Sequence, residues 1–209
     1  MTAFKNLIFD LGEVIVDIDY SVTVAEFQKL ALVDFSEVIS YSAQHELFDH
    51  FEKGIISASH FRDILRQFLR PGTTDEEIDN AWNALIVAYP AEKFELLKEL
   101  KTRYKTLALS NTNEIHLAAL NEAARTKLNV PDFGSIFHAA YYSNLTGHRK
   151  PEKEIYELVM QKESMEPGET FFVDDKKENI EAAKSLGWSA YQLADRNQLF
   201  DLLAELKII

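Results

Sequence analysis

Three short apolar runs, each leading into a polar residue, constrain the fold of this chain more than any other feature. They are residues 7–9, followed by Asp10; residues 106–110, followed by Asn111; and residues 170–174, followed by Asp175. A compact apolar run that stops at a polar residue is typical of a buried strand leading into a functional turn. We therefore expect a sheet that carries polar groups along one edge.

Helical patterns alternate with these runs through the second half of the chain. Further strand candidates cover residues 136–141 and 188–193, and amphipathic patterns predict helices over residues 91–101, 113–127, 152–163 and 179–186. Alternating strands and helices predict a parallel sheet with helices on both faces, in which ligands bind at the carboxyl ends of the strands. The predicted fold class is α/β, a Rossmann-like doubly wound parallel sheet.

The first half of the chain departs from this alternation. Amphipathic helical patterns cover residues 21–32, 43–51, 58–69 and 75–87, and no strand pattern separates them. A chain of 209 residues has room for a main domain and an inserted one. We predict a core domain from residues 1–17 and 90–209, an inserted helical cap domain over residues 18–89, and hinges near residues 17–20 and 88–91.

Charge and composition exclude several classes of partner and site. A net charge of −12 disfavours nucleic acids and anionic membrane surfaces, because both bind through clustered Lys and Arg. The absence of cysteine rules out disulfides and thiolate-bound metals, so oxygen ligands are expected at a metal site. The first apolar stretch, residues 4–9, is too short for a membrane span or a signal peptide. We expect a cytoplasmic protein, either a monomer or a homodimer.

The polar residues near the predicted strand ends together supply the chemistry of phosphoryl transfer. They are Asp10, Ser110, Lys150, Asp174 and Asp175. Transfer from a phosphate ester requires a carboxylate nucleophile, oxygen ligands for a divalent cation, a neighbouring cation, and a hydroxyl or amide to hold the phosphoryl oxygens. The expected substrate is therefore a small phosphorylated molecule.

Four motifs that contain these residues occur in order along the chain. They are Phe-Asp-Leu-Gly-Glu-Val from residue 9, Leu-Ser-Asn-Thr from residue 109, Arg-Lys-Pro-Glu from residue 149 and Phe-Val-Asp-Asp from residue 172. The set resembles the four motifs of the haloacid dehalogenase superfamily, and the first two look closest to the bacterial subgroup that includes alpha-glucose-1-phosphate phosphatases. The resemblance implies a magnesium-dependent phosphatase that hydrolyses a small phosphorylated metabolite, with a sugar phosphate as one candidate, through an aspartyl-phosphate intermediate.

The resemblance also implies roles for the individual residues. It makes Asp10 the nucleophile and a magnesium ligand, Asp175 a second ligand, and the backbone carbonyl of Gly12 a third. Asp174 would act through a water molecule or through a lysine. Lys150 would neutralise the carboxylates and steady the transferring group.

Three side-chain amides and hydroxyls complete the predicted site. Ser110 and Asn111 would hold the phosphoryl oxygens, although both are also good capping residues for the helix that begins near Glu114. Asn179, on the first turn of a later helix, is a candidate to support the carboxylates, with capping or solvent exposure as its alternative.

Gly12 departs from the family pattern, since the family usually places a second aspartate there to protonate the leaving oxygen and later activate water. Losing such a group typically costs about 100-fold to 10,000-fold in rate. Glu13 is the nearest replacement carboxylate, and substrate assistance by a stable leaving group is the alternative.

Two rival functions share these features. A metal-independent 2-haloacid dehalogenase would also lack the second aspartate, but a halide site gains nothing from the charges of Asp174 and Asp175. A catalytically silent phosphate-binding protein would keep the fold and the metal without turnover.

The cap carries weaker signals. Candidates to face the site are the turn at residues 52–54 and the side chains of Tyr20, His45 and His50, while His148 and Arg149 would face either solvent or the cap.

Overall fold

The computed structural model of the chain describes residues 4–44 and 46–209. Its strands are β1 (Asn6–Phe9), β2 (Asp17–Ile18), β3 (Ile86–Ala88), β4 (Lys105–Ser110), β5 (Ala139–Tyr142), β6 (Thr170–Asp174) and β7 (Ser189–Gln192). Its helices are α1 (Tyr20–Leu30), α2 (Phe35–Gln44), α3 (Leu47–Glu52), α4 (Ala58–Arg66), α5 (Asp75–Asn83), α6 (Ala91–Lys101), α7 (Glu114–Lys127), α8 (Ser143–Thr146), α9 (Lys153–Glu163), α10 (Lys177–Ser185) and α11 (Leu199–Glu205). Short 3₁₀ turns lie at Phe133–Ile136, Pro167–Glu169 and Arg196–Gln198.

The main sheet is parallel throughout and has the strand order β5-β4-β1-β6-β7. Strand β1 lies at its centre. The chain runs from β1 to β4 and β5 on one side, and then crosses to β6 and β7 on the other side. Such a reversal of strand order opens a crevice at the carboxyl ends of the central strands, where ligands bind in doubly wound sheets. The predicted α/β fold is confirmed.

Helices cover both faces of this sheet because its strands are apolar on both sides. In β1, Leu7 and Phe9 pack into one core with α6, α7 and α11, whereas Ile8 packs into a second core with α9 and α10. Successive side chains of a strand point to opposite faces, so a fully buried strand reads as a continuous apolar run. This explains why the strands were visible in the sequence as unbroken apolar segments.

The five helices α1–α5 lie between β2 and β3, which pair as a short antiparallel ribbon. They enclose an aromatic core of their own, in which Phe27 stacks on Phe35 at 4.4 Å and Phe51 stacks on Phe61 at 4.1 Å between ring centroids. Ile115 of α7 also belongs to this core. The helical insertion is therefore packed directly onto the main sheet domain.

Several predicted elements have different bounds in the structure, and three of the differences are the most informative. The helix predicted over residues 75–87 ends at Asn83, because residues 86–88 pair with β2. The helix predicted over residues 43–51 is divided between α2 and α3, and Glu46, with φ of 55°, begins the second. The strand predicted over residues 136–141 starts at Ala139, since a 3₁₀ turn occupies Phe133–Ile136.

The predicted domain boundaries fall at the β2–β3 ribbon, whose strands join the helical insertion to the sheet. Within the described residues, no helix combines the length and the apolar character that crossing a membrane requires.

Candidate active site

Asp10 lies at the carboxyl end of β1 and is held there by backbone contacts. Its N–H donates to the Val173 carbonyl of neighbouring β6 at 3.0 Å. Its carboxylate Oδ1 accepts from the N–H of Leu11 at 2.7 Å, and only 8% of the residue is exposed. The second carboxylate oxygen, Oδ2, takes no part in these hydrogen bonds.

Lys150 joins the ends of the two central strands. Its ammonium Nζ lies 2.9 Å from Asp10 Oδ1 and 2.5 Å from Asp174 Oδ2, and the residue is 1% exposed. Burial alone would lower the pKa of Lys150, but the two carboxylates outweigh burial and raise it. The side chain is therefore a permanent cation between Asp10 and Asp174.

Asn111 positions this lysine through its backbone. The side-chain Nδ2 of Asn111 donates to the Lys150 carbonyl at 2.8 Å, and Oδ1 accepts from the Lys150 N–H at 2.8 Å. Both polar atoms of the amide predicted to bind a phosphoryl oxygen are thus hydrogen-bonded within the protein. The backbone N–H of Asn111 is the donor that we consider for a ligand instead.

Asp174 is completely buried and is surrounded by donors. Asn179 Nδ2 lies 2.9 Å from its Oδ1 and 3.0 Å from its Oδ2, and the N–H of Lys176 donates to Oδ1 at 2.8 Å. Asn179, predicted as a support for the carboxylates, contacts Asp174. Asp175 is more open and pairs with the Lys176 ammonium at 3.0 Å.

The three carboxylates of this cluster form a group of oxygen donors. Ligand atoms of Asp10, Asp174 and Asp175 all lie within 4.8 Å of one another. Burial, together with the charges of the other two aspartates, outweighs Lys150 and raises the pKa of Asp10 to about 7. Closely spaced carboxylate oxygens with unbalanced negative charge suit a hard divalent cation such as Mg²⁺.

Ser110 ends β4 on the same edge and is 4% exposed. Its hydroxyl makes one long contact, 3.4 Å to the Asn111 carbonyl. The hydroxyl is therefore weakly held and able to turn toward a ligand.

The residues after Asp10 differ in how they relate to this cluster. Gly12 has an ordinary negative φ, and a Cβ added there would lie 2.9 Å from the Cδ1 atom of Ile18. Glu13 does not join the carboxylate cluster, because its Oε2 pairs with Arg196 Nε at 3.1 Å. The structure thus brings together seven of the predicted residues and leaves Glu13 outside; the seven are Asp10, Ser110, Asn111, Lys150, Asp174, Asp175 and Asn179.

A cavity of about 320 Å³ opens beside this edge, between the helical insertion and the sheet domain. Gly12, Ser110 and Asn111 line it on the sheet side, and Tyr20 and Glu52 line it on the helical side. His50 is instead a surface residue whose Nε2 lies 3.7 Å from Glu46, and His45 lies outside the described residues.

Ion pairs join the turn at residues 52–54 to the loop that carries Lys150. Arg149 Nη1 contacts Asp49 at 2.6 Å, and Arg149 Nη2 contacts Glu52 at 2.8 Å. Arg149 therefore faces the cap, one of its two predicted alternatives. Gly54 has φ of 67°, and a Cβ there would collide with the Asn144 carbonyl. The turn therefore lies so close to Asn144 that only glycine fits at this position.

Two supporting residues make long-range contacts that the sequence did not indicate. Ser143 is completely buried; its Oγ accepts from the Thr112 N–H at 2.9 Å and donates to the Thr112 carbonyl at 3.0 Å. Asn113 Oδ1 caps α7 by accepting from the His116 N–H at 3.0 Å and also accepts from Trp82 Nε1 at 3.3 Å. The Ser143–Thr112 and Trp82–Asn113 contacts each join residues 31 positions apart in the sequence.

Comparisons with known proteins agree with this geometry. The sequence model of the family described as haloacid dehalogenase-like hydrolase matches residues 4–187. A D-ribitol-5-phosphate phosphatase of Bacteroides thetaiotaomicron is 32% identical over 188 residues, which span 90% of this chain and 91% of the relative. A sesquiterpene phosphatase of Aspergillus oryzae is 28% identical over 206 residues, which span 93% of this chain and 92% of the relative.

A solved structure shows the same fold. It is a wild-type haloacid dehalogenase family enzyme of Bacteroides thetaiotaomicron, in complex with magnesium and inorganic phosphate. It superposes with a TM-score of 0.82 at 33% identity and covers 91% of this chain and 94% of its own.

Proposed function

Because this chain belongs to the haloacid dehalogenase-like hydrolases, we propose that it is a magnesium-dependent phosphatase of a small phosphorylated metabolite. The observation that carries the proposal is the buried cluster of Asp10, Asp174 and Asp175 around Lys150. A related enzyme of the same fold binds magnesium and inorganic phosphate, which supports this assignment of ligands.

The residues fit a magnesium ion by the chemistry of their donors. Asp10, Asp175 and the backbone carbonyl of Gly12 would hold it, and Asp174 would act indirectly because Lys150 and Asn179 already occupy its oxygens. The bound ion would neutralise charge on the phosphoryl oxygens and fix their orientation.

Asp10 is assigned as the nucleophile. Its Oδ1 is engaged by Lys150 and by the Leu11 N–H, so Oδ2 is the oxygen proposed to attack phosphorus. The bond between phosphorus and the ester oxygen breaks, and its electron pair leaves with the alcohol, which takes up a proton. Water then attacks phosphorus in the aspartyl phosphate, which releases inorganic phosphate and restores the Asp10 carboxylate.

Three groups would hold the phosphoryl oxygens: the Ser110 hydroxyl, the backbone N–H of Asn111 and the Lys150 ammonium. The Asn111 and Lys150 donors are held in place before substrate arrives, because the Asn111 amide and the Lys150 backbone exchange two hydrogen bonds of 2.8 Å. The weakly held Ser110 hydroxyl would turn toward the substrate. Donors fixed in advance stabilise developing charge without reorganising during the reaction.

We also propose that residues 18–89 act as a cap that selects the organic part of the substrate. The relatives leave that part open, since one is named for ribitol phosphate and another for a sesquiterpene. The sugar phosphate suggested by the resemblance stays a prediction.

The first experiment is phosphate release from an aryl phosphate and a panel of metabolite phosphates, with magnesium and with a chelator. Asp10→Asn should abolish release while the protein stays folded, since the amide keeps the shape of the carboxylate. Asp201→Asn, an exposed aspartate on α11, is the matched control and should leave the rate unchanged.

Two results would overturn the proposal in different ways. Chloride release from a short 2-haloacid that persists with chelator would identify a dehalogenase. Phosphate binding without any turnover would identify a silent binding protein.

A further inference from the structure

The cavity beside the catalytic cluster continues directly from the place where a phosphate ester would react. Leu11 and Gly12, which follow Asp10, and Ser110 form the wall nearest the nucleophile. Because residues adjacent to Asp10 line the cavity, an ester whose phosphorus lies against Asp10 has this space available for its organic group. The volume of about 320 Å³ is at the low end of small-molecule sites, which span roughly 300–1,000 Å³.

The walls away from Asp10 are largely hydrocarbon. The apolar lining there comes from α1, α2, α3, α5 and α7 and includes Val24, Ile39, Phe48, Phe51, Trp82 and Leu120. Four of the five contributing helices belong to the cap, so the cap supplies most of the apolar surface.

Several polar side chains that line the cavity are already paired inside the protein. Thr23 Oγ1 donates to the Trp82 carbonyl at 3.1 Å, and Asn113 Oδ1 accepts from the Trp82 indole N–H and the His116 backbone. Both hydrogen-bonding atoms of the Asn111 amide are held by the Lys150 backbone. A ligand that used these same hydrogen-bonding positions would have to share or break an internal hydrogen bond.

Two of the titratable lining groups, His116 and Glu52, also have partners inside the protein. The His116 ring is stacked on Trp82 with 5.2 Å between centroids, its Nδ1 lies 2.9 Å from Asn83 Oδ1, and burial lowers its pKa to about 3. It is therefore neutral near pH 7. Glu52 is paired with Arg149 at 2.8 Å.

We propose that the substrate is the phosphate monoester of an apolar alcohol, whose alkyl or aromatic group fills this cavity between cap and core. The inference rests on the proposed phosphatase function and specifies its substrate class. A polyol or sugar would have to set its hydroxyls against Val24, Ile39 and Phe48, and hydroxyls that lose water without new partners weaken binding. An apolar group gains from leaving water.

The test compares phosphate release from ethyl, n-butyl and n-hexyl phosphate with release from D-ribitol 5-phosphate. All are esters of primary alcohols, so the chemical step is similar and differences in kcat/KM report on the organic group. We expect kcat/KM to rise about fourfold for each added methylene that enters the cavity. The inference is overturned if the alkyl series is flat or if ribitol phosphate exceeds n-hexyl phosphate.

A pair of matched variants places the effect in the cavity. Val24→Asn puts an amide into the wall and should lower kcat/KM for n-hexyl phosphate about fourfold or more, with ethyl phosphate unchanged. Val22→Asn, on the same helix but not in the lining, should alter neither substrate. If Val24→Asn does not fold, the smaller Val24→Thr change keeps the comparison. Equal losses on both esters would contradict the assignment.

Affinity measurements separate this inference from the proposed function. The n-alkylphosphonates cannot be hydrolysed at their carbon–phosphorus bond, so their binding with magnesium does not require turnover. Affinity that rises with chain length, in a protein that releases no phosphate, would support the apolar site and refute the phosphatase. Turnover of several esters with no dependence on chain length would do the reverse.

Discussion

The two walls of the active site differ in their chemistry and in where they come from. The core wall is charged and tightly bonded: Lys150 is 1% exposed, and Asp174 is completely buried with donors on both oxygens. The cap wall is mainly apolar and comes largely from helices inserted between β2 and β3. The core wall is suited to holding a phosphoryl group, whereas the cap wall is suited to selecting what the phosphoryl group is attached to.

Gly12 lies where these two walls meet. The family resemblance implies a carboxylate at this position that would serve the leaving group, which is the part of the substrate proposed to face the cap. In the proposed function, the phosphoryl-binding half of the site has all of its proposed groups, whereas the leaving-group half has glycine in place of an acid. Substitutions in the core wall should therefore lower the rate of phosphate release strongly, and Gly12→Asp, at the junction of the two walls, should raise it.

After the loss of the nucleophile in Asp10→Asn, the largest effect is expected for Lys150→Met. Removing one preorganised electrostatic donor typically lowers the rate by about 100-fold to 1,000-fold. Removing one partner of a buried ion pair also costs about 3–5 kcal/mol of stability. Phosphate release and urea unfolding would measure the two effects, and added magnesium should restore part of the stability.

The control for that variant is Lys153→Met, whose side chain is 66% exposed and pairs with Glu157 at 3.6 Å. It should match the unchanged protein in both assays. Equal losses in the two variants would show that the buried position of Lys150 does not matter.

The next largest effect should be a gain from Gly12→Asp. A restored general acid should raise the rate on alkyl phosphates by about 100-fold, the low end of the usual range, and less on an aryl phosphate that leaves without help. The nearest atom to an added Cβ would be Cδ1 of Ile18 at 2.9 Å, so the end of that side chain must shift. The double variant with Ile18→Val removes that contact.

Steady-state rates on the two ester classes would measure this gain. No gain on the alkyl ester in either variant would mean that the leaving group obtains its proton without an acid at position 12.

The strand ends and the motif residues could be predicted because each depends on local pattern. Asp10, Ser110 and Asp174 follow unbroken apolar runs, and parallel pairing then brings them to one edge. The short ribbon was not predictable in the same way. Strands β2 and β3 have only two and three residues and pair with a shifted register. Such short strands carry too little sequence pattern to be distinguished from the ends of helices.

Contacts between distant residues were also beyond sequence reasoning. Asn111 and Lys150 are 39 positions apart, and Ser143 and Thr112 are 31 apart, yet each pair exchanges two hydrogen bonds. The motif indicated that Asn111 belongs to the site but not that its amide is used to hold the lysine. Side-chain direction decides such roles, and it follows only from the packed fold.

A smaller effect concerns magnesium and pH. The pKa of Asp10 rises from 3.8 to about 7 because of burial and the two neighbouring aspartates. Below that pH a cation must displace a proton, so the dissociation constant for magnesium should increase about tenfold for each pH unit below about 7 and level off above it. Calorimetric titrations across this range would measure it, and Asp10→Asn should remove the dependence.

The raised pKa of Asp10 also determines how the stability of the protein changes with pH. The folded chain holds the Asp10 proton more tightly than the unfolded chain, so the chelated protein should lose stability as pH rises from 3.8 to about 7. Magnesium should reverse that loss at the upper end. Chelated protein that gains stability through this window would contradict the raised pKa.

The smallest effect is expected for Glu13→Gln, which asks whether the neighbouring carboxylate replaces the missing acid. Its Oε2 lies 3.1 Å from Arg196 Nε, and the side chain is 25% exposed, so the carboxylate is held by a partner rather than directed at the substrate. A partly exposed ion pair contributes at most about 1 kcal/mol, which predicts only a slight change in unfolding. Turnover of alkyl phosphates should stay within about twofold, whereas loss of a working general acid would cost about 100-fold or more. A loss of that size in Glu13→Gln, with unchanged turnover in Arg196→Gln, would identify Glu13 as the proton donor. The acid that serves the leaving group would then lie on the core wall.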